Sequence, residues 1–308
     1  MVQSVTPMVN GKPLRKVRQY PYRICFLNDI HVGGQFGLFP EEHTDHYGVT
    51  YRPNGGQKIL REYMKDYAKQ CKEFKSNILF IPGDVLTGQN SKEGGKFVIN
   101  IELDEQVAAA AKVIAEFVKL VGTIELIYIW KSTGYHGSRD MSVDEAVARK
   151  LVADYGLPVE FRGEYSFVDL EYKGLHKKLF ITHTASGATM YPEQAMGKDM
   201  MLWQEAVGQK KLPEVHMIIR AHKHFFAEVH KSTIRSLQLP CWQFHVPYDK
   251  AIQNFARWQP DIGGVVMLFD EKMRTHVLHF LYPNVQSPER FLNIKHKSGV
   301  KRAFLSRK

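Results

Sequence analysis

Short apolar runs alternating with amphipathic helical stretches constrain this chain more than any other feature. YRICFL (22–27) is strand-sized, β-rich and followed by loop residues, so it reads as a buried strand. Residues 56–74 set Leu60, Tyr63, Met64, Tyr67, Cys71 and Phe74 at three-to-four spacing, the stripe of an amphipathic helix. NILFIPGDV (77–85) is a second buried strand, and a helix follows with Val107, Ala110, Ala111, Ile114, Phe117, Val118 and Val121 on one face. IELIYIW (124–130) is a third strand, and Ser142-x-x-Glu145 has the form of a capping box that opens a helix reaching Tyr155. From 165 the pattern turns to strands (YSFVDLEY, KKLFITH, HMIIRAH, FFAEVH, IGGVVMLF, THVLHFL), interrupted by one helix over 193–208. An α/β first half and a strand-rich second half predict a mixed sheet system with helices outside. No Pro/Gly/Ser linker divides it, so a single domain over 22–285 is expected, with arms at 1–21 and 286–308.

The 308 residues are ample for a buried core, so no staple is needed for size. The three cysteines, Cys25, Cys71 and Cys241, are odd in number and form no CxxC pair. That argues against a disulfide framework and for a reducing, cytoplasmic setting. No apolar run is long enough to span a membrane, and the first residues lack the apolar core of a secretory signal. The net charge of +10 is unevenly placed. Residues 1–23 carry five cations and no acid, and residues 295–308 carry six and no acid. The intervening chain is therefore at −1. Two basic arms on a neutral body suit a polyanion, most simply nucleic acid.

Chemistry-bearing residues gather just past the apolar runs. They are Asp29-x-His31, Gly83-Asp84, Gly134-Tyr135-His136, His183, and His222-Lys223-His224. Sites in open α/β sheets assemble at the carboxyl ends of strands, and mixed carboxylate and imidazole donors suit divalent transition metals. Each fragment alone is an ordinary turn or cap, but the ordered set is not. Alternation in His222-x-His224 predicts both rings on one side of an extended segment. By contrast, His43 and His46 read as solvated loop histidines, and His216, His230, His276 and His279 as structural. Trp130, Trp203, Trp242 and Trp258 read as packing, because they are scattered.

The ordered set resembles the five motif blocks of calcineurin-like metallophosphoesterases over residues 22–285. The helix after His136, the segment Leu239-Pro240-Cys241-Trp242-Gln243 and Ile262-Gly263-Gly264 resemble the branch encoded by tailed bacteriophages. The resemblance implies a four-layer α/β sandwich of two mixed β-sheets flanked by helices, holding two divalent metal ions (Mn, Zn or Fe). It implies that Asp29, His31 and His224 hold the first metal, that His183 and His222 hold the second, and that Asp84 bridges both. His136 would be the catalytic residue, neutralising the phosphate or protonating the leaving oxygen. The chain departs from the pattern where an Asn ligand is expected before that His. Tyr135 stands there, so Thr133, Tyr135 or a water must substitute. Ala221 replaces a Gly, a milder change.

The expectation is a metal-dependent phosphoric ester hydrolase, a phosphodiesterase or nuclease acting on nucleic acid through its basic termini. If phage-encoded, it would work in the host cytoplasm. The alternatives are a non-catalytic binding or assembly protein on the same fold, and a phosphomonoesterase or phosphoprotein phosphatase.

Overall fold

The computed structural model describes residues 20–90, 94–100, 102–134, 142–184, 192–231, 233–247 and 259–284. It also describes the backbone of two short paired strands, β1 (Met8–Val9) and β2 (Lys12–Pro13). The chain continues through β3 (Tyr22–Phe26), a small hairpin of β4 (His43–Thr44) and β5 (Thr50–Tyr51), α1 (Gly55–Glu73), β6 (Ile78–Pro82), α2 (Leu103–Val121), β7 (Leu126–Trp130), α3 (Val143–Tyr155) and β8 (Val159–Phe161). The second half holds β9 (Tyr165–Tyr172), β10 (Leu175–Thr182), α4 (Pro192–Gly208), β11 (Met217–Arg220), β12 (Ala227–Lys231), β13 (Ile234–Gln238), β14 (Ile262–Phe269) and β15 (Thr275–Tyr282).

Two sheets form. The six-stranded sheet has the order β15-β14-β3-β6-β7-β8, with β3, β6, β7 and β8 parallel and β14 antiparallel to β3. The five-stranded sheet has the order β12-β13-β11-β10-β9, with a parallel centre and antiparallel edges. Side-chain alternation along each strand sorts residues into layers. On β3, Ile24 and Phe26 face a core shared with Leu179 and Ile181 of β10 and Met217 and Ile219 of β11. Cys25 faces the other way, into a core with α1, α2 and α3. The outer face of the second sheet packs Ile218 and Ile234 against Met200 and Trp203 of α4. The architecture is therefore helix, sheet, sheet, helix: a four-layer sandwich, as the sequence led us to expect.

Local chemistry sets the element ends. A reciprocal capping box opens α1: Asn54 Oδ1 accepts from Gln57 N at 2.9 Å, and Gln57 Oε1 accepts from Asn54 N at 3.1 Å. The capping box read at Ser142 is only half formed. Ser142 Oγ accepts from Glu145 N at 3.4 Å, but the Glu145 carboxylate pairs with Arg149 at 2.6 Å, a partner one turn away. Two strands escape the sequence reading. β8 is only three residues long, and β13 carries Arg235, Ser236 and Gln238, which mask its apolar pattern. No helix among the described residues is long and apolar enough to cross a membrane.

One contact shapes the sheet beside the site. Tyr67 is fully buried, and its hydroxyl donates to the carbonyls of Val265 (2.6 Å) and Phe26 (3.1 Å) while accepting from Phe26 N (3.3 Å). The β3–β14 ladder is paired only as far as Val266 with Cys25. The hydroxyl thus stands in for the next rung and parts the two strands just before Asp29. Tyr67→Phe strands these buried groups, so a loss of about 1–3 kcal/mol is expected in chemical denaturation. A loss near zero would mean that the strands simply close.

Candidate metal centre

Four parallel strands deliver the candidate ligands at their carboxyl ends. β3 runs out into Asp29 and His31, β6 into Asp84, β10 into His183, and β11 into His222 and His224. Five of these six sit in the left-handed region: Asp29 (φ 49°), His31 (44°), Asp84 (46°), His222 (74°) and His224 (57°). Such backbone costs on the order of 1–3 kcal/mol per residue and persists only where the surroundings enforce it. Here the enforcement is a mesh of hydrogen bonds. Asp29 N donates to Gly83 O (3.2 Å), His31 N to Asp84 O (3.1 Å), and His222 N to Asp29 Oδ1 (3.2 Å). Gly83 is itself left-handed at φ 75°, and a Cβ there would stand 2.7 Å from the His183 ring.

This backbone corrects the expectation for His222-x-His224. The strand ends at Arg220, both histidines are left-handed rather than extended, and their rings serve two different clusters.

The first cluster is Asp29, His31 and His224; the second is Asp84, His183 and His222. In the first, His31 Nε2 and His224 Nε2 are 3.1 Å apart, and His224 Nε2 is 3.2 Å from Asp29 Oδ1. In the second, His183 Nε2 lies 2.9 Å from Asp84 Oδ2 and 3.2 Å from His222 Nδ1, which is 3.4 Å from the same carboxylate oxygen. Donors about 2.0–2.2 Å from a common cation stand about 3–3.5 Å apart, so both triads have the spacing of a coordination shell. Asp29, Asp84, His31 and His183 are all buried. The donor chemistry fits two divalent cations. His183 is also oriented for it: Nδ1 donates to Pro82 O at 2.6 Å, which leaves Nε2 for the cluster.

Without a cation the carboxylates draw protons onto these rings. Burial pushes the His183 imidazolium down, but the charge and hydrogen bond of Asp84, helped by Asp29, lift it to about 9. Burial likewise opposes charge on His224, yet the Cys241 sulfur and Asp29 raise it well above the ordinary value.

Behind Asp84 lies a support that the sequence reading missed. Asp84 N donates to Ser132 Oγ (2.6 Å), and Ser132 donates through N (2.6 Å) and Oγ (2.7 Å) to the buried carboxylate of Asp144. Burial raises the Asp144 pKa, and the Ser132 bonds oppose that rise. Thr133 N reaches Asp84 Oδ1 at 3.3 Å. Thr133 Oγ1 is buried and makes no hydrogen bond to any described residue. Tyr135 and His136, the two other residues singled out here, lie outside the described residues.

The bland readings divide. His43 is buried rather than solvated: its Nε2 meets Glu105 at 2.7 Å, and exposed His46 meets the other carboxylate oxygen at 2.7 Å. Both histidines therefore fasten the β4–β5 hairpin to the first turn of α2. Trp130, Trp203 and Trp242 are buried packing residues. His216 Nδ1 accepts from Lys178 N, and His279 stacks on Phe226. All three cysteines are free and buried.

No protein-family model matches the chain, and no curated relative does. Among solved structures it is similar to a novel archaeal phosphodiesterase, at 10% identity and TM-score 0.37 over 84% of this chain and 99% of that one. It is also similar to YfcE, a phosphoesterase from E. coli, at 15% identity and TM-score 0.36 over 83% and 98%. A third is Vps29 complexed with Zn²⁺ from Entamoeba histolytica, at 9% identity and TM-score 0.35 over 84% and 98%. What the site can do is argued below from its own geometry.

The raised His183 pKa has a stability consequence. Its folded-state value of about 9 exceeds the ordinary 6.5, so the bound proton stabilises the metal-free fold below pH 6.5, and this stability is lost as pH rises through 9. Chelated protein should melt at falling temperature across that window, and protein with divalent metal should not show this loss. A flat profile in the chelated sample would mean that His183 carries no such proton.

Proposed function

We propose that this chain is a dinuclear metal-dependent phosphoesterase, acting as a phosphodiesterase or nuclease. The observation that carries this reading is the pair of buried carboxylate–imidazole triads, each at coordination spacing, at the common end of four strands. Two divalent cations (Mn, Zn or Fe) would supply Lewis acidity to a phosphate and to the attacking water. The protein's own residues supply the rest. Asp84, anchored through Ser132 and Asp144, sets its carboxylate between Thr133 N and the second triad, where it would bridge the two cations. His136 is placed by the sequence next to Gly134-Tyr135 and is the residue we assign to the leaving oxygen or the phosphate charge.

Thr133 is our candidate for the ligand missing at Tyr135. A buried hydroxyl left unpaired costs about 1–3 kcal/mol, and this one is attached to the residue whose N–H already touches Asp84. Titrating Mn²⁺ into stripped protein is expected to show a tight first equivalent and a weaker second. Thr133→Val should weaken only the second, and His183→Ala should remove it. An unchanged second equivalent in Thr133→Val would take that hydroxyl out of the ligand set.

The basic arms, with a near-neutral body between them, favour nucleic acid as substrate. The segment Leu239–Gln243 supports the finer likeness to phage-encoded enzymes, since Trp242 N donates to Asp29 O at 3.0 Å and so packs this segment on the first cluster. The test is a substrate panel with Mn²⁺, Zn²⁺ or Mg²⁺ restored after chelation, run on a chromogenic phosphodiester, a phosphomonoester, single-stranded and duplex DNA, and a mononucleotide. Turnover of the diester and of DNA is expected, with Asp84→Asn slower by orders of magnitude yet still folded. Turnover of monoesters alone would overturn the diesterase reading. None at all with both sites loaded would favour a binding protein.

A further inference from the structure

Phe97 breaks a local rule. Eleven non-glycine residues among those described are left-handed; five are the candidate ligands, and most of the rest are turn-tolerant Lys and Asn. Phe97, at φ 65°, is neither. It occupies the third place of a turn closed by Val98 N donating to Gly95 O at 3.3 Å, a place that ordinarily takes Gly when φ is positive. A bulky side chain held there is a true outlier. Its ring is half-buried and meets that of Phe36, also half-buried, edge to face, with centroids 5.3 Å apart at 75°.

The pair is tied to the metal centre through the backbone. Phe36 lies on the loop that leaves His31, and Phe97 on the loop that leaves Asp84. Gln35 N donates to Phe97 O at 2.8 Å, Ile99 N to Gly33 O at 2.7 Å, and Gly34 bridges Val98. On the other side, Phe244 N donates to Phe36 O at 2.9 Å, and Gly37 packs so tightly on the His31 carbonyl that any Cβ would collide with it. Two aromatic rings, one bought with backbone strain, are therefore fixed to the two segments that carry Asp29, His31 and Asp84.

We propose that Phe36 and Phe97 form a shelf that takes the planar base of a nucleotide whose phosphate lies at the metal centre. This rests on the phosphoesterase reading and names the substrate class for that site: phosphoesters bearing an aromatic base. Aromatic faces accept any base by stacking, so the shelf gives preference for nucleotides without choosing among sequences.

The test uses the full chain loaded with Mn²⁺ and three probes: adenosine monophosphate, ribose 5-phosphate and inorganic phosphate, with binding read by calorimetry. Wild-type protein is expected to bind the nucleotide about tenfold more tightly than ribose 5-phosphate. Phe97→Gly, which suits the turn and so should fold, is expected to erase that difference, and Phe36→Leu to reduce it. Equal binding of the two sugar phosphates by wild-type protein would overturn the shelf and leave the phosphoesterase reading standing. So would a preference that survives in both variants. If none of the three probes binds, the phosphoester reading itself fails, and the shelf with it.

Discussion

Left-handed backbone at the carboxyl ends of the strands is the constraint on which the site depends. An extended strand sends successive side chains to opposite faces, so it can point only alternate residues at any one place. Asp29, Asp84, His222 and His224 each break that alternation with a positive φ. The chain thus turns abruptly at the end of the sheet, and carboxylates and imidazoles crowd into a space that regular strands would leave to apolar side chains. The cost is held in place by hydrogen bonds between the turns themselves, such as His31 N to Asp84 O and His222 N to Asp29 Oδ1.

A second tier of contacts aims the donors. Pro82 O holds the His183 ring, Asp144 acts through Ser132 on Asp84, and Asn28 donates to both Asp29 Oδ2 and Pro240 O. Arg220 ties the loop after His183 to α4, donating to Thr184 O at 2.9 Å and to Asp199 at 2.8 Å. None of these residues needs to touch a substrate. Their effect is to remove rotational freedom from groups that do the binding, which is why a metal site is incompletely described by its ligands alone.

Much of this is legible in the sequence, for a physical reason. Parallel strands covered on both faces read as unbroken apolar runs, so β3, β6 and β7 are plain, and so is the placement of Asp29, Asp84 and His183 immediately beyond such runs. The strands that escape notice are short or polar. Gln238 of β13, for instance, is buried only because its Nε2 finds Ala221 O at 2.7 Å. Asp144 escapes because a carboxylate in the first turn of a helix looks like a solvent-facing cap, and nothing local reveals that the turn is packed against Ser132. His43 escapes because its partner, Glu105, is distant in sequence. Positive φ at Asp and His leaves no mark on the sequence at all.

The division of the two triads between the sheets has a mechanical consequence. Asp29, His31 and Asp84 hang from the six-stranded sheet, whereas His183, His222 and His224 hang from the five-stranded one. Each cation would therefore be a rivet through the sandwich, gripping one layer with carboxylate and the other with imidazole. Along most of the interface the layers adhere through apolar side chains, which slide and repack; at this end they would be pinned by bonds of fixed length. The grip vanishes if the layers separate, since neither sheet alone offers a complete set of donors. Metal in the medium then becomes a reservoir of cohesion, and each tenfold rise in free cation above its dissociation constant adds about 1.4 kcal/mol per site against separation.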